Sequence, residues 1–128
     1  GSFNSPSSPS FPTPFEFILV FAKNSYKLLE KGISDLKKEE FISWSNSKWV
    51  INCEKKKDIN HPAVFPVELP LRCIKMFSWV DSIVYDPFIG SGTTAVACLK
   101  TNRNYIGSEI SDEYCEVALN RIKKQNIY

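Results

Sequence analysis

The order strand, glycine turn, helix, strand written into residues 82–109 constrains this chain more than any other feature. Ser82-Ile83-Val84-Tyr85 is a short apolar run of β-formers, "DPFIGSGTT" (Asp86 to Thr94) follows it, and "TTAVACLK" from Thr93 is made of good helix formers. Thr93 or Thr94 is placed to cap that helix. Glycine permits positive φ and, lacking a Cβ, lets a ligand approach the main chain, beside a helix start whose first N–H groups have no intrahelical acceptor. The carboxyl end of a strand is also where open α/β sheets place ligands. Gly90 and Gly92 would equally serve a plain tight turn, and a lone G-x-G does not separate the two readings.

Two carboxylates favour a ligand. Asp86 closes the first strand, and Asn104-Tyr105-Ile106-Gly107-Ser108-Glu109 reads as a second strand ending in an acid, about twenty residues beyond the loop, the spacing from which an acid reaches ribose hydroxyls. A nucleoside is implied. The dinucleotide fingerprint G-x-G-x-x-G fails at Ala95, and no G-x-x-x-x-G-K-[ST] phosphate loop is present. Asp86 would repel a pyrophosphate and attract an ammonium or sulfonium centre.

"DPFIGSGTTAVACLKTNRNYIGSEISDEYCEVALNRIKK", preceded by "HPAVFPVELP", resembles the carboxyl-terminal portion of the circularly permuted, beta-type DNA amino-methyltransferases, which methylate cytosine N4 or adenine N6. Before His61, "FNSPSSPSF" and "FEFILVFAKNSYKL" are similar to that family's segment between its catalytic core and its target-recognition region. The resemblance implies an α/β fold, part of a Rossmann-like methyltransferase domain of three layers, α/β/α, with an incomplete sheet in this chain. It implies S-adenosylmethionine as cofactor, S-adenosylhomocysteine as its product, double-stranded DNA as partner, and a cytoplasmic, bacterial or archaeal restriction-modification setting. By the same resemblance the cofactor site comprises His61, Pro62, Ala63, Asp86, Phe88, Gly90, Ser91, Gly92, Thr93 and Glu109. Ala63 and Pro66 stand where the family's H-P-T-Q-K-P form has Thr and Lys, so side-chain bonds from those positions to the cofactor carboxylate do not carry over. The H-P-A-x-F-P form favours cytosine N4 over adenine N6.

The family orients its target amine with an [S/D/N]-P-P-[Y/F/W] segment, and this chain contains no Pro-Pro pair. No catalytic residue is therefore assigned here. In the permuted order that segment lies upstream of Gly1, so an amino-terminal catalytic half, in the same or a separate chain, is an expected partner; a homodimer is left open. A non-catalytic nucleic-acid-binding module and an unrelated nucleotide-binding enzyme remain as other readings.

Three segments are expected. Residues 1–22 form a Ser/Pro-rich loop, whose Ser5 and Ser7 are placed near the target base, and a buried strand at Phe15 to Ala22. Residues 23–60 form a DNA target-recognition segment, and residues 61–128 the cofactor part. In the middle segment lysines interleave with Trp44 and Trp49, a pattern that suits phosphates and bases but also describes a solvated helix face, as in "LKKEEFISWS". The uncompensated Lys55, Lys56 and Lys57 are the stronger candidates for phosphate contact. Sixteen basic against fourteen acidic residues leave a net +2, too little to announce nucleic-acid binding from charge alone. The four cysteines form no C-x-x-C pair and read as reduced, mostly buried thiols, so no metal site is assigned. Phe15 to Ala22 is too short to span a bilayer, and no membrane association is expected. The last helix, begun by Ser111, reads as core and dipole partners.

Overall fold

The computed structural model describes residues 15–28, 30–46, 48–52 and 65–125. The chain forms two compact units, Gly1–Glu30 and Lys31–Tyr128. The second unit carries α1 (Lys38–Trp44), α2 (Glu68–Phe77), β1 (Ile83–Asp86), α3 (Thr93–Lys100), β2 (Asn104–Gly107) and α4 (Asp112–Gln125).

β1 and β2 pair in parallel, with Ile83 opposite Asn104 and Asp86 opposite Gly107. Parallel neighbours require a crossover, and α3 is that crossover. Alternation then sorts the side chains. Val84 and Tyr105 turn onto a core of Ile74, Ala97 and Cys98, with Val67 and Leu71 of the α2 region packed on its other side. Ile83, Tyr85 and Ile106 stay exposed. The α/β reading holds, but the described residues cover the sheet on one face only.

α3 is buried from Thr93 to Cys98, and its small residues let the sheet, α2 and α4 come close. Burial pushes the Cys98 thiol up to about 11, helped by the Asp86 carboxylate and opposed by the Arg103 guanidinium. Cys73 is likewise raised by burial. Cys73, Cys98 and Cys115 are free thiols, as the sequence suggests, and Cys53 lies outside the described residues.

A buried cation ties the unit together. Arg103 donates to the Thr101 carbonyl and to both the carbonyl and hydroxyl of Ser78, and its Nη1 lies 2.8 Å from Asp35 Oδ1. The last contact is ionic, without hydrogen-bond alignment. A guanidinium with no solvent exposure needs such partners, because leaving a buried charge unpaired costs on the order of 3–5 kcal/mol. Lys75 adds a second tie, 2.6 Å from Glu40. Glu40 also accepts from the Lys37 N–H at 2.9 Å, capping α1. Burial works against the Glu40 charge, but the Lys75 and Lys37 hydrogen bonds and charges outweigh it and hold the carboxyl below its ordinary range.

The strand expected at Phe15 to Ala22 is not formed. The described residues contain one sheet, β1 with β2, and Phe17, Leu19 and Phe21 are largely exposed. A strand requires a partner ladder, and the apolar run has none among the described residues. No described helix is long and apolar enough to cross a membrane.

Candidate functional site

The site is the junction of β1, its following loop and the end of β2. Asp86 folds the turn from its own side chain: Oδ1 accepts the Phe88 N–H at 3.0 Å and Oδ2 accepts the Thr94 hydroxyl at 2.6 Å. The loop is then laced to β2, since Ile89 donates to the Ser108 carbonyl and Ser108 donates to the Asp86 carbonyl, each at 3.0 Å. Gly90 (φ 52°) and Gly92 (φ 81°) supply the left-handed turns that reverse the chain into α3.

The helix is capped differently from the sequence reading. Its N-cap is Gly92, with no side-chain cap bond, and Thr93 and Thr94 are already helical. Their hydroxyls serve other partners: Thr94 binds Asp86, and Thr93 receives Arg121. Gly92 is needed twice over, since a Cβ there would lie 3.0 Å from the Ala118 Cβ of α4 at a φ that side chains rarely adopt.

Glu109, two residues past β2, reaches back across the gap. Its Oε2 accepts the Gly90 N–H and its Oε1 accepts the N–H groups of Ile110 and Ser111, all at 2.9 Å. Three backbone donors thus fix a carboxylate whose oxygens each have two acceptor sites. Ser111 caps α4 as its sequence position suggests, accepting the Tyr114 N–H at 3.4 Å. On either side of this acid in sequence, Phe88 and Ile110 are 87% and 100% exposed. Apolar side chains held in water beside a fixed carboxylate offer what a flat apolar ring with hydroxyl donors requires. Two carboxylates at one loop disfavour a phosphate and favour a cation.

The structure therefore brings Asp86, Phe88, Gly90, Ser91, Gly92, Thr93 and Glu109 together. His61, Pro62, Ala63, Ser5, Ser7, Lys55, Lys56 and Lys57 lie outside the described residues. Sequence reading overlooked Arg121, whose Nη1 donates to the Ser91 carbonyl, the Ser91 hydroxyl and the Thr93 hydroxyl at 2.8, 2.9 and 3.0 Å. Its only signal was an arginine three residues after Ala118 on a helix face that also carries core residues. Trp44 and Trp49, read as candidate base-stacking surfaces, instead hold the Arg72 guanidinium at 5.5 and 5.4 Å from their ring centres, and Trp44 is buried.

A family model described as DNA methylase, of the N6/N4 type, matches residues 1–120. The chain is 40% identical over 105 residues to the type II methyltransferase M.BglI of Bacillus subtilis, covering 81% of this chain and 29% of that protein. It is 37% identical over 106 residues to the type II methyltransferase M.MjaI of Methanocaldococcus jannaschii, covering 74% and 34%. Among solved structures it is similar to a putative DNA modification methylase of Thermus thermophilus complexed with S-adenosyl-L-methionine, at 35% identity and a TM-score of 0.59, covering 71% of this chain and 35% of that one. The chain spans about a third of the length of these relatives.

Proposed function

The chain belongs to the N6/N4 DNA methylase family, and from that premise we propose that it forms the cofactor-binding part of an S-adenosylmethionine-dependent DNA amino-methyltransferase of a restriction-modification system. The observation that carries this reading is the hydrogen bond from Gly90 to Glu109, which joins the loop after β1 and the acid after β2 into one site. Bound there, S-adenosylmethionine would supply a methyl group activated on a sulfonium. Glu109 would accept the ribose hydroxyls, and Phe88 and Ile110 would flank the purine. Asp86 would hold the turn and place negative charge on the side of the cation. His61, Pro62 and Ala63 are proposed for the methionine side, and the H-P-A-x-F-P sequence supports cytosine N4 as the target over adenine N6.

The acceptor amine must be oriented by another part of the enzyme, because the chain has no Pro-Pro-aromatic segment. The DNA side is proposed to include Ser5, Ser7 and Lys55 to Lys57. The test has two arms. Calorimetry with S-adenosylhomocysteine on the full chain should show binding that Glu109→Ala abolishes or weakens, and labelled methyl should reach DNA only when a catalytic half with the Pro-Pro-aromatic segment is present. Absence of cofactor binding, or turnover by the 128-residue chain alone, would overturn the assignment.

A further inference from the structure

The loop after β1 contains two glycines with positive φ, at 52° and 81°, so its peptide planes have little intrinsic reason to hold one orientation. One plane is pinned at both ends. In the trans peptide joining Ser91 and Gly92 the carbonyl and the N–H point in opposite directions. The Gly92 N–H donates to the Ile89 carbonyl at 2.9 Å, and the Ser91 carbonyl on the far side receives Arg121 Nη1 at 2.8 Å. The same guanidinium nitrogen reaches the Ser91 and Thr93 hydroxyls, both on residues that are almost completely buried.

Three residues earlier on α4, Ala118 lies against Gly92 so closely that a Cβ on the glycine would be 3.0 Å from its own. Residues three apart share a helix face. One face of α4 thus presents a small residue that lets the loop approach and, one turn later, a cation that grips the carbonyl and hydroxyls flanking it.

We infer that Arg121 is a positioning residue for the ligand loop: it locks the Ser91–Gly92 peptide plane and so keeps the loop in its ligand-ready form before any ligand arrives. The inference rests on the cofactor reading of Asp86, Gly90 and Glu109, and adds to it a residue from α4, the helix that follows that site in the chain. Flipping the plane would turn a carbonyl where an N–H now points and break the bond to Ile89. Without Arg121 the loop would have to be ordered at the moment of binding, which lowers affinity even when every group that touches the ligand is kept. Arg serves better than Lys here because one planar fork can address several acceptors, whereas an ammonium acts as a point donor.

The experiment compares wild type, Arg121→Lys and Arg121→Met in the full chain, with Asn120→Ala as an exposed control on the same helix. S-adenosylhomocysteine titration should show the dissociation constant rising about tenfold in Arg121→Met, with Arg121→Lys in between and Asn120→Ala unchanged. Hydrogen exchange, read without ligand, should show the Gly92 and neighbouring loop amides exposed in Arg121→Met while the amides of β1 and β2 keep their protection. A merely structural arginine would loosen strands and loop together. Loop protection equal to wild type in Arg121→Met, or loss spread evenly over the sheet, overturns the inference. If wild type fails to bind S-adenosylhomocysteine while the exchange pattern appears as stated, the cofactor reading falls and the lock stands. Should Arg121→Met not fold, Thr93→Val removes one acceptor at constant shape and should move loop exchange in the same direction; no movement there also overturns it.

Discussion

Glu109 Oε2 lies 2.9 Å from the Gly90 amide nitrogen, so the acid that follows one strand sets the shape of the loop that follows the other. Replacing it by glutamine keeps the size but turns an amide group toward N–H donors on at least one side. Glu109→Gln should lower stability by about 1–3 kcal/mol, the cost of leaving a donor unsatisfied. Urea melts read this loss, and calorimetry with S-adenosylhomocysteine should show weaker binding in the same variant.

Gly92→Ala should be costly although it adds one methyl group. The left-handed backbone costs a side chain roughly 1–2 kcal/mol, and the new Cβ meets the Ala118 Cβ at 3.0 Å and its Cα at 3.1 Å. The midpoint of a denaturant melt should fall accordingly. Ala118→Gly in the same background should recover part of the loss, because it opens the contact but not the φ; full recovery would assign the whole cost to the contact.

Glu40 predicts a pH dependence. Its carboxyl is held below its ordinary range in the fold, so its contribution is present above that range and is lost as pH falls through the folded value. At neutral pH, Glu40→Gln should cost on the order of 1 kcal/mol, as expected of a partly exposed ion pair with a cap hydrogen bond. The stability difference between the two proteins should close on titration below about pH 4.

Cys98 predicts the opposite end of the scale. With its thiol raised from 9.0 to about 11, both states are protonated below pH 9, and between these values the unfolded chain alone ionises. Stability should therefore fall as pH rises through that window, by up to about 1.4 kcal/mol per unit from this group. The slope should be smaller in Cys98→Ala, and in native protein an aromatic disulfide reagent should reach Cys98 only through opening of the fold.

Replacing Lys55, Lys56 and Lys57 together by alanine should weaken DNA binding alike for all sequences. For every phosphate these lysines neutralise, the substitution should flatten the plot of log affinity against log salt by roughly 0.9. Filter binding across a salt series measures the slope, and an unaltered slope would remove these lysines from the interface.

Much of the second unit is legible in the sequence because its signals are local. Alternation marks Val84 and Tyr105 as inward-facing, helix formers mark α3, and the distance from Asp86 to Glu109 follows from one crossover. Arg121 is not legible, because an arginine on a terminal helix looks solvated until the fold carries it to Ser91, 30 residues away. The capping error at Thr93 has a similar origin: Gly92 takes the cap position through its backbone, and the hydroxyls are drawn off by Asp86 and Arg121. For Phe15 to Ala22, composition reports which residues favour burial and β pairing, but not whether a partner strand adjoins them.

Apart from Asp86, each group that shapes the glycine loop from outside it comes later in the chain: Ser108 and Glu109, then Ala118 and Arg121. A polypeptide emerges from the ribosome in sequence order. The loop is thus made early and shaped late, and it takes its final form only after α4 has followed it out. A chain cut short before Arg121 would keep every glycine of the loop and still lack the grip that orients them.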